Sequence, residues 1–259
     1  MNSGGKLILP TRAGTGIGSV ISFSDAPDFR PNLTPSDIFK QGAFGGGYFR
    51  PIHSRITGKD YADAWKEFPS EWWEGMVGGP KKWLANQSYN VHLNRFQVDC
   101  GAKLSKDDTF GLDYWEDKKW IVEQDPYGWV QWYCRFYQGR RSPDDGRQIA
   151  RWLALAGPSG RFRSNLIGKA MGKGYDNQTV SPVIRQTLHQ WGYQLTKSDF
   201  EEGVAKRLGA APAREAKDTK NTKRNGISKK RVMQDDEDAS ESEAEVTKSA
   251  KKTRRTKAK

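Results

Sequence analysis

The chain has 259 residues, 35% of them hydrophobic, and a formal net charge of +12. No apolar run approaches the ~20 residues that a membrane-spanning helix requires, and the first residues lack the apolar stretch of a secretory signal. The sequence therefore predicts a nuclear protein, or alternatively a cytoplasmic one, with no membrane partner. The two cysteines, Cys100 and Cys134, lack metal-binding spacing and make no disulfide framework, and the aromatic neighbours of Cys134 predict a buried thiol.

Aromatic residues divide the chain into a core-forming part and two flanks. All ten tryptophans lie between Trp65 and Trp191, and no aromatic residue follows Phe200. A segment of this length can bury most of its unfolded apolar surface. We therefore expect a tryptophan-rich globular domain over residues 34–208. Residues 1–33, rich in Gly, Ser and Pro, are expected to be a flexible N-terminal segment, and residues 209–259 a disordered tail with basic, acidic and basic blocks.

The first half of the predicted domain contains short elements. The run from Thr34 to Asp37 combines cap residues with a proline and predicts a helix start. A short helix is expected from Gly58 to Trp65, and Pro69 opens another that carries Trp72 and Trp73. Residues 86–120 fit extended structure slightly better than helix. The fold class expected is mainly α, with a small β element in that stretch.

The second half shows clear helical periodicity. Aromatic residues from Trp129 to Tyr137 recur at the spacing of one helix face. Ser142 to Asp145 supplies a cap residue, a proline and acids for the next helix start. The apolar residues from Phe162 to Ala170 predict a further helix, and Ser181-Pro182 starts another whose inward face runs from Ile184 to Leu195. Ser198 is expected to cap a last helix. Helices of this length with short connections predict a compact helical domain.

One block resembles a family of uncharacterised predicted proteins from fungi, protists and some other lineages. It runs from Asp125-Pro126-Tyr127-Gly128-Trp129 through Gln131-Trp132-Tyr133-Cys134-Arg135 and Gly139-Arg140-Arg141 to Asp144-Asp145 and Arg147-Gln148-Ile149-x-Arg151-Trp152. Patches of the resemblance extend from Phe44 to Trp191, about half of the chain. The resemblance implies a folded domain. It implies no activity and transfers no catalytic residue.

Positive charge is concentrated in two places. Residues 135–190 carry ten basic and three acidic residues, and residues 210–259 carry fifteen basic and nine acidic ones. Arginine binds phosphate through a planar fork and stacks on bases, so we expect DNA or RNA as the partner. Ion pairs with Asp144 or Asp145, or packing on tryptophan, remain the alternative. The predicted nucleic-acid-binding residues form one basic strip: Arg135, Arg140, Arg141, Arg147, Arg151, Arg161, Arg163, Lys169 and Arg185.

The tail carries patterns of its own. Lys223, Arg224, Lys229, Lys230 and Arg231 are spaced somewhat like a bipartite nuclear import signal, which implies an import receptor as a further partner. Ser240 and Ser242 each lie three residues before a glutamate within an acidic stretch. This context predicts phosphorylation by acid-directed kinases, which would add negative charge beside the basic clusters.

Catalytic patterns are weak. His53, His92 and His189 are far apart and have no metal-type spacing, and His189 is expected at a helix surface or cap. No cofactor is expected. The leading hypothesis is a non-enzymatic, nuclear, nucleic-acid-associated protein. Two alternatives stay open: a protein-interaction module with exposed aromatics, and a metal-dependent nucleic-acid enzyme in which four acids bind Mg²⁺, namely Glu123, Asp125, Asp144 and Asp145.

Overall fold

The structure is a computed structural model that describes residues 7–98 and 112–209. The predictions made for the tail and for one cysteine lie outside these residues: Lys223, Arg224, Lys229, Lys230, Arg231, Ser240, Ser242 and Cys100.

Helices dominate the described part of the chain, as the sequence predicts. The α-helices are α1 (Pro35–Lys40), α2 (Pro80–Leu84), α3 (Leu112–Asp117), α4 (Trp129–Tyr137), α5 (Asp145–Ala156), α6 (Arg161–Ala170), α7 (Pro182–Gln190) and α8 (Lys197–Arg207). Short 3₁₀ turns cover Ala43–Gly46, Ala64–Glu67 and Ser70–Trp73.

Local sequence explains where several helices begin. Thr34 caps α1 with a reciprocal capping box: its hydroxyl accepts from the Asp37 amide at 3.0 Å, and the Asp37 carboxylate accepts from the Thr34 amide at 2.9 Å. A proline occupies the first turn of α1, α2 and α7. The last helix is capped by Thr196, whose side chain accepts from the Asp199 amide, two residues before the Ser198 cap that the sequence predicts.

The β structure is small and lies outside the stretch predicted for it. Strands β1 (Thr11–Arg12) and β2 (Ile21–Ser22) pair antiparallel, and so do β3 (Ile52–Ser54) and β4 (Lys59–Tyr61). The described part of residues 86–120 contains turns and α3 instead of a strand. The helix predicted from Gly58 is also wrong, because Gly58 at a φ of +64° turns the chain from β3 into β4.

The larger core cluster corrects the predicted domain boundary. Phe29 is fully buried, and its ring lies 5.2 to 6.2 Å from those of five aromatic residues of α4 and α5. Ile21, Phe23 and Leu33 are buried in the same cluster. Residues 21–33 are therefore an integral part of the domain and not a flexible segment before it. The buried aromatic face of α4, including Trp132 and Tyr133, is confirmed.

A second cluster packs on the other side of α4. It joins Phe39, Phe49 and Phe68 to Val130 and Cys134. Cys134 is fully buried, as predicted, and burial raises the pKa of its thiol well above the ordinary value. Helix α4 is thus covered on two sides, which fixes the position of the loops and arginines that flank it.

Candidate nucleic-acid interface

The first predicted binding residues, Arg135 and Arg140, hold a buried carboxylate. Asp125 is fully buried and accepts from Arg135 Nη1 at 2.9 Å and from Arg140 at 2.7 and 2.6 Å. Arg135 also forms a fork with Glu67, at 3.0 and 2.6 Å. Both guanidiniums are therefore used in ion pairs that hold the loop before α4 next to the helix.

Arg141 ties the end of α4 to the N-terminal segment. Its guanidinium donates to both oxygens of Asp25, at 2.6 and 3.1 Å, and lies 3.7 Å from the centre of the Phe136 ring. The hydrogen bond from Arg141 lowers the pKa of the Asp25 carboxyl. This contact gives the chain around Asp25 a polar anchor beside the aromatic one at Phe29.

Arg147 and Arg151 contribute to the surface of α5. Arg147 forms a bidentate pair with Asp144 at 2.5 and 2.8 Å. The Arg151 guanidinium lies 4.6 Å from the Trp120 ring and 5.2 Å from the Trp191 ring. These are the ion pair and the packing on tryptophan that the sequence left open as the alternative to phosphate binding.

Arg163 and Arg185 are buried, which does not fit their predicted place in a basic strip that contacts the backbone of a nucleic acid. Arg163 pairs with Asp199 at 2.8 Å and lies over the Tyr193 ring. Arg185 donates to the carbonyl oxygens of Val180 and Tyr175 at 3.0 and 2.7 Å. Both side chains hold neighbouring segments onto the helical core.

The remaining predicted residues, Arg161 and Lys169, lie on α6. The Arg161 guanidinium lies 5.0 Å from the centre of the neighbouring Phe162 ring. Lys169 is exposed in the last turn of the helix. Of the nine predicted residues, Lys169 therefore has the surroundings that fit a free cation best.

Two further cations, Lys206 and Arg207 of α8, lie beside α6 and the residues just before it. Arg207 donates to the carbonyl and hydroxyl oxygens of Ser164, at 2.5 and 3.0 Å, and Lys206 reaches the hydroxyl of Ser159 at 3.3 Å. Gly168 allows this approach, since a Cβ there would lie 3.3 Å from the Arg207 guanidinium carbon. We call this surface, made of Lys169, Lys206 and Arg207, the α6–α8 face.

The cations of the α6–α8 face differ from five arginines of the predicted strip, which form ion pairs with carboxylates. The three cations of the face are exposed, and none lies within 4 Å of a carboxylate of the described residues. Neutral serine oxygens orient Lys206 and Arg207 without removing their charge. Sequence reasoning missed these two because residues 191–209 have equal numbers of acids and bases, and a count over the segment conceals that the bases gather in the last turn.

Three of the four acids proposed for a metal site have structural partners, whereas the fourth, Glu123, is exposed. Asp145 accepts from Ser142 and from the Trp132 indole at 2.8 Å, and Asp144 accepts from Arg147 and Gln148. Asp125 is held by two arginines. Among residues 7–98 and 112–209, no three Asp, Glu, His or Cys side chains gather in a way that could hold a metal ion.

His189 departs from its predicted place at a helix surface. Its ring is buried against Phe96, with the ring centres 5.7 Å apart. Burial, reinforced by the charge of Arg95, lowers the pKa of His189 to about 3. Neither ring nitrogen has a hydrogen-bond partner.

No family model, curated protein or solved structure matches the chain. Within the part of the chain that the structure describes, no helix is both long enough and apolar enough to cross a bilayer.

Proposed function

We propose that this protein is a non-enzymatic, nucleic-acid-associated protein that binds the phosphate backbone of DNA or RNA. The single observation that carries the proposal is the α6–α8 face, where Lys169, Lys206 and Arg207 are exposed and have no carboxylate partner among the described residues. Unpaired cations attract the phosphate backbone and release its condensed counterions on binding.

The other arginines of the predicted strip are less suited to phosphate binding because several are already paired. Arg135, Arg140 and Arg147 each form carboxylate pairs within the domain. A phosphate would have to displace those carboxylates before it could bind, which would leave Asp125 buried and unpaired. The α6–α8 face imposes no such penalty. It also ends at residue 207, close in sequence to the basic residues of the tail, which supply further sequence-independent affinity.

The test is fluorescence anisotropy of the full chain with labelled single- and double-stranded DNA and RNA. The face variant carries Lys169→Gln, Lys206→Gln and Arg207→Gln. The control variant carries Lys59→Gln, Lys81→Gln and Lys82→Gln, which removes the same charge from exposed positions elsewhere. The proposal predicts that the face variant weakens binding on the order of tenfold or more, while the control weakens it much less. Equal affinities of the two variants would contradict it.

The alternative of an interaction module has weaker support. In the described ranges, the large apolar side chains that are strongly exposed are aliphatic: Leu7, Leu9, Ile17, Ile56, Val77 and Leu208. They are scattered over several elements, and single exposed apolar residues are normal on soluble proteins. Tryptophans such as Trp129 and Trp191 are instead stacked on one another, 4.4 Å apart.

The proposal includes a nuclear location and an import receptor that binds the tail. It rests on the sequence of the cluster from Lys223 to Arg231. Replacing Lys229, Lys230 and Arg231 with alanine in a fluorescent fusion is expected to shift the protein towards the cytoplasm. An unchanged nuclear signal would exclude the import function of this cluster. That result would not affect the proposal that the α6–α8 face binds nucleic acid.

A further inference from the structure

A half-open cavity of about 170 Å³ lies between α6, α7 and the loop before α7. Its lining includes the two arginines Arg95 and Arg185, the amide of Gln194, and the aromatic rings of Phe96 and Tyr175. None of these residues belongs to the α6–α8 face, and Arg95 is absent from the predicted basic strip.

The two arginines are held in place by neutral groups. Arg95 Nη1 donates to the side-chain oxygens of Gln41 and Gln194, at 2.6 and 3.3 Å. Arg185 uses Nε and Nη2 on two backbone carbonyls. No carboxylate of the described residues lies within 4 Å of either guanidinium, unlike those of Arg135, Arg140 and Arg147. Both guanidiniums are therefore held in position by neutral groups and have no carboxylate partner among the described residues.

The cavity has two positively charged groups, Arg95 and Arg185, in its lining. Burial and, to a smaller extent, the charge of Arg95 lower the pKa of Arg185, because a low dielectric and a second cation disfavour its charged form. The opposing charge in the lining is Asp176, which is exposed and too far away to form an ion pair with Arg185. Two cations against one distant carboxylate leave the cavity with an excess of positive charge.

A buried histidine without hydrogen-bond partners packs against the lining of the cavity. His189 is 1% exposed, both of its ring nitrogens lack partners, and its ring packs on Phe96 of the lining. The side-chain oxygen of Gln186 and the side-chain nitrogen of Gln41 are also buried without partners. Buried polar groups without partners are rare in folded proteins, and a histidine of this kind beside a cavity is a candidate for a functional site.

We propose that this cavity binds the phosphate group of a small phosphorylated molecule, with Arg95 and Arg185 as the cations that hold it. Arginine forks match the oxygens of phosphate in geometry and charge. Phe96, Tyr175 and the leucines of the lining form an apolar wall that fits the organic part of a phosphate monoester. The site is separate from the α6–α8 face and goes beyond the proposed function.

The test titrates the full-length protein with inorganic phosphate, a nucleoside 5′-monophosphate and the unphosphorylated nucleoside. The readouts are the dissociation constant and the NMR signal of the Arg185 Nε–H group. The expected result is that both phosphates bind and shift this signal, while the nucleoside does neither. Binding of neither phosphate, or equal binding of the nucleoside, would overturn the proposal.

Three single variants test whether phosphate binding changes in the direction that the charges of the cavity predict. Arg95→Gln removes one fork at an exposed position and is expected to weaken phosphate binding about tenfold. Asp176→Asn removes the opposing charge and is expected to tighten binding a few-fold. Lys81→Gln, a control with the same charge change as Arg95→Gln, is expected to leave binding unchanged. Identical affinities of the Arg95 and Lys81 variants, or weaker binding by Asp176→Asn, would overturn the proposal.

A third arm distinguishes a free phosphorylated molecule from the end of a nucleic acid. An oligonucleotide with a 5′-phosphate is compared with the same oligonucleotide without it. Equal affinities for the two, together with binding of the monophosphate, support a small molecule. A preference for the phosphorylated end that Arg95→Gln abolishes would overturn the assignment to a small molecule and place the phosphate on nucleic acid. Neither result depends on Lys169, Lys206 or Arg207.

Discussion

At the scale of single residues, the arginines of this protein divide by the partner that each one contacts. Arg135 and Arg140 contact a buried carboxylate, whereas Arg95 contacts neutral amides. A sequence shows how many arginines a segment has, but the partner of each depends on which distant element packs beside it. The Arg135 pair with Glu67 spans 68 positions of the chain, and no local pattern announces it.

The Asp125 pair gives the most direct prediction for stability. Asp125→Asn leaves Arg135 and Arg140 facing an uncharged amide in a buried site, and the free energy of unfolding is expected to fall by about 3 kcal/mol. Urea unfolding followed by tryptophan fluorescence measures it. Asp60→Asn is the matched control, since the Asp60 side chain is 88% exposed, and a change within ~0.5 kcal/mol is expected there. Similar losses in both variants would show that Asp125 has no special structural role.

His189 gives a prediction about pH. Its pKa is about 3 in the folded protein and about 6.5 in an unfolded chain, so between these values the unfolded chain binds the proton more tightly. The contribution to stability is therefore complete above pH 6.5 and is lost as the pH falls. From pH 7 to pH 5 it decreases by about 2 kcal/mol.

His189→Leu is expected to remove that part of the pH dependence, because leucine has no proton to bind. Urea unfolding at pH 7 and pH 5 provides the comparison. His92→Gln, at an exposed histidine, is the control and is expected to lose as much stability between the two pH values as the unmodified chain. If His189→Leu shows the same loss, the buried neutral histidine is not the cause.

At the scale of elements, local sequence predicts α4 to α7 well and the first third of the chain poorly. The helices have apolar residues at a spacing of three and four, which identifies a buried face without knowledge of its partner. The N-terminal segment has no such period. Ile21, Phe23 and Phe29 are buried because they meet α4 and α5, and that contact between distant parts of the sequence leaves no repeating signal. The burial of His189 was missed for the same reason.

The N-terminal segment yields a prediction at this scale. A chain that begins at Thr34 lacks Phe29, whose ring fills the space between α4 and α5. Loss of a single buried Phe typically costs about 3–5 kcal/mol, which is a large part of the stability of a domain. Residues 34–259 are therefore expected to lose near-ultraviolet circular dichroism and cooperative unfolding, whereas residues 7–259 are expected to retain both. A fully folded chain starting at Thr34 would contradict the role assigned to this segment.

At the scale of the whole molecule, the net charge of +12 does not by itself identify a binding surface. Many of the cations between Arg135 and Arg163 are paired within the domain. Net charge predicts attraction to polyanions, but the structure is needed to separate the paired cations from the unpaired ones. Of the residues proposed to bind phosphate, the sequence prediction includes Lys169 and Arg185, but not Lys206, Arg207 and Arg95.

The salt dependence of nucleic-acid binding tests the central claim most directly, because its slope counts the cations that contact phosphate. The logarithm of the association constant is measured against the logarithm of salt concentration for the full chain, the α6–α8 face variant and the control with Lys59, Lys81 and Lys82 replaced. The face variant is expected to have a slope shallower by about 2 to 3, while the control is expected to match the unmodified chain. A face variant with the same slope as the unmodified chain would show that Lys169, Lys206 and Arg207 do not contact the phosphate backbone.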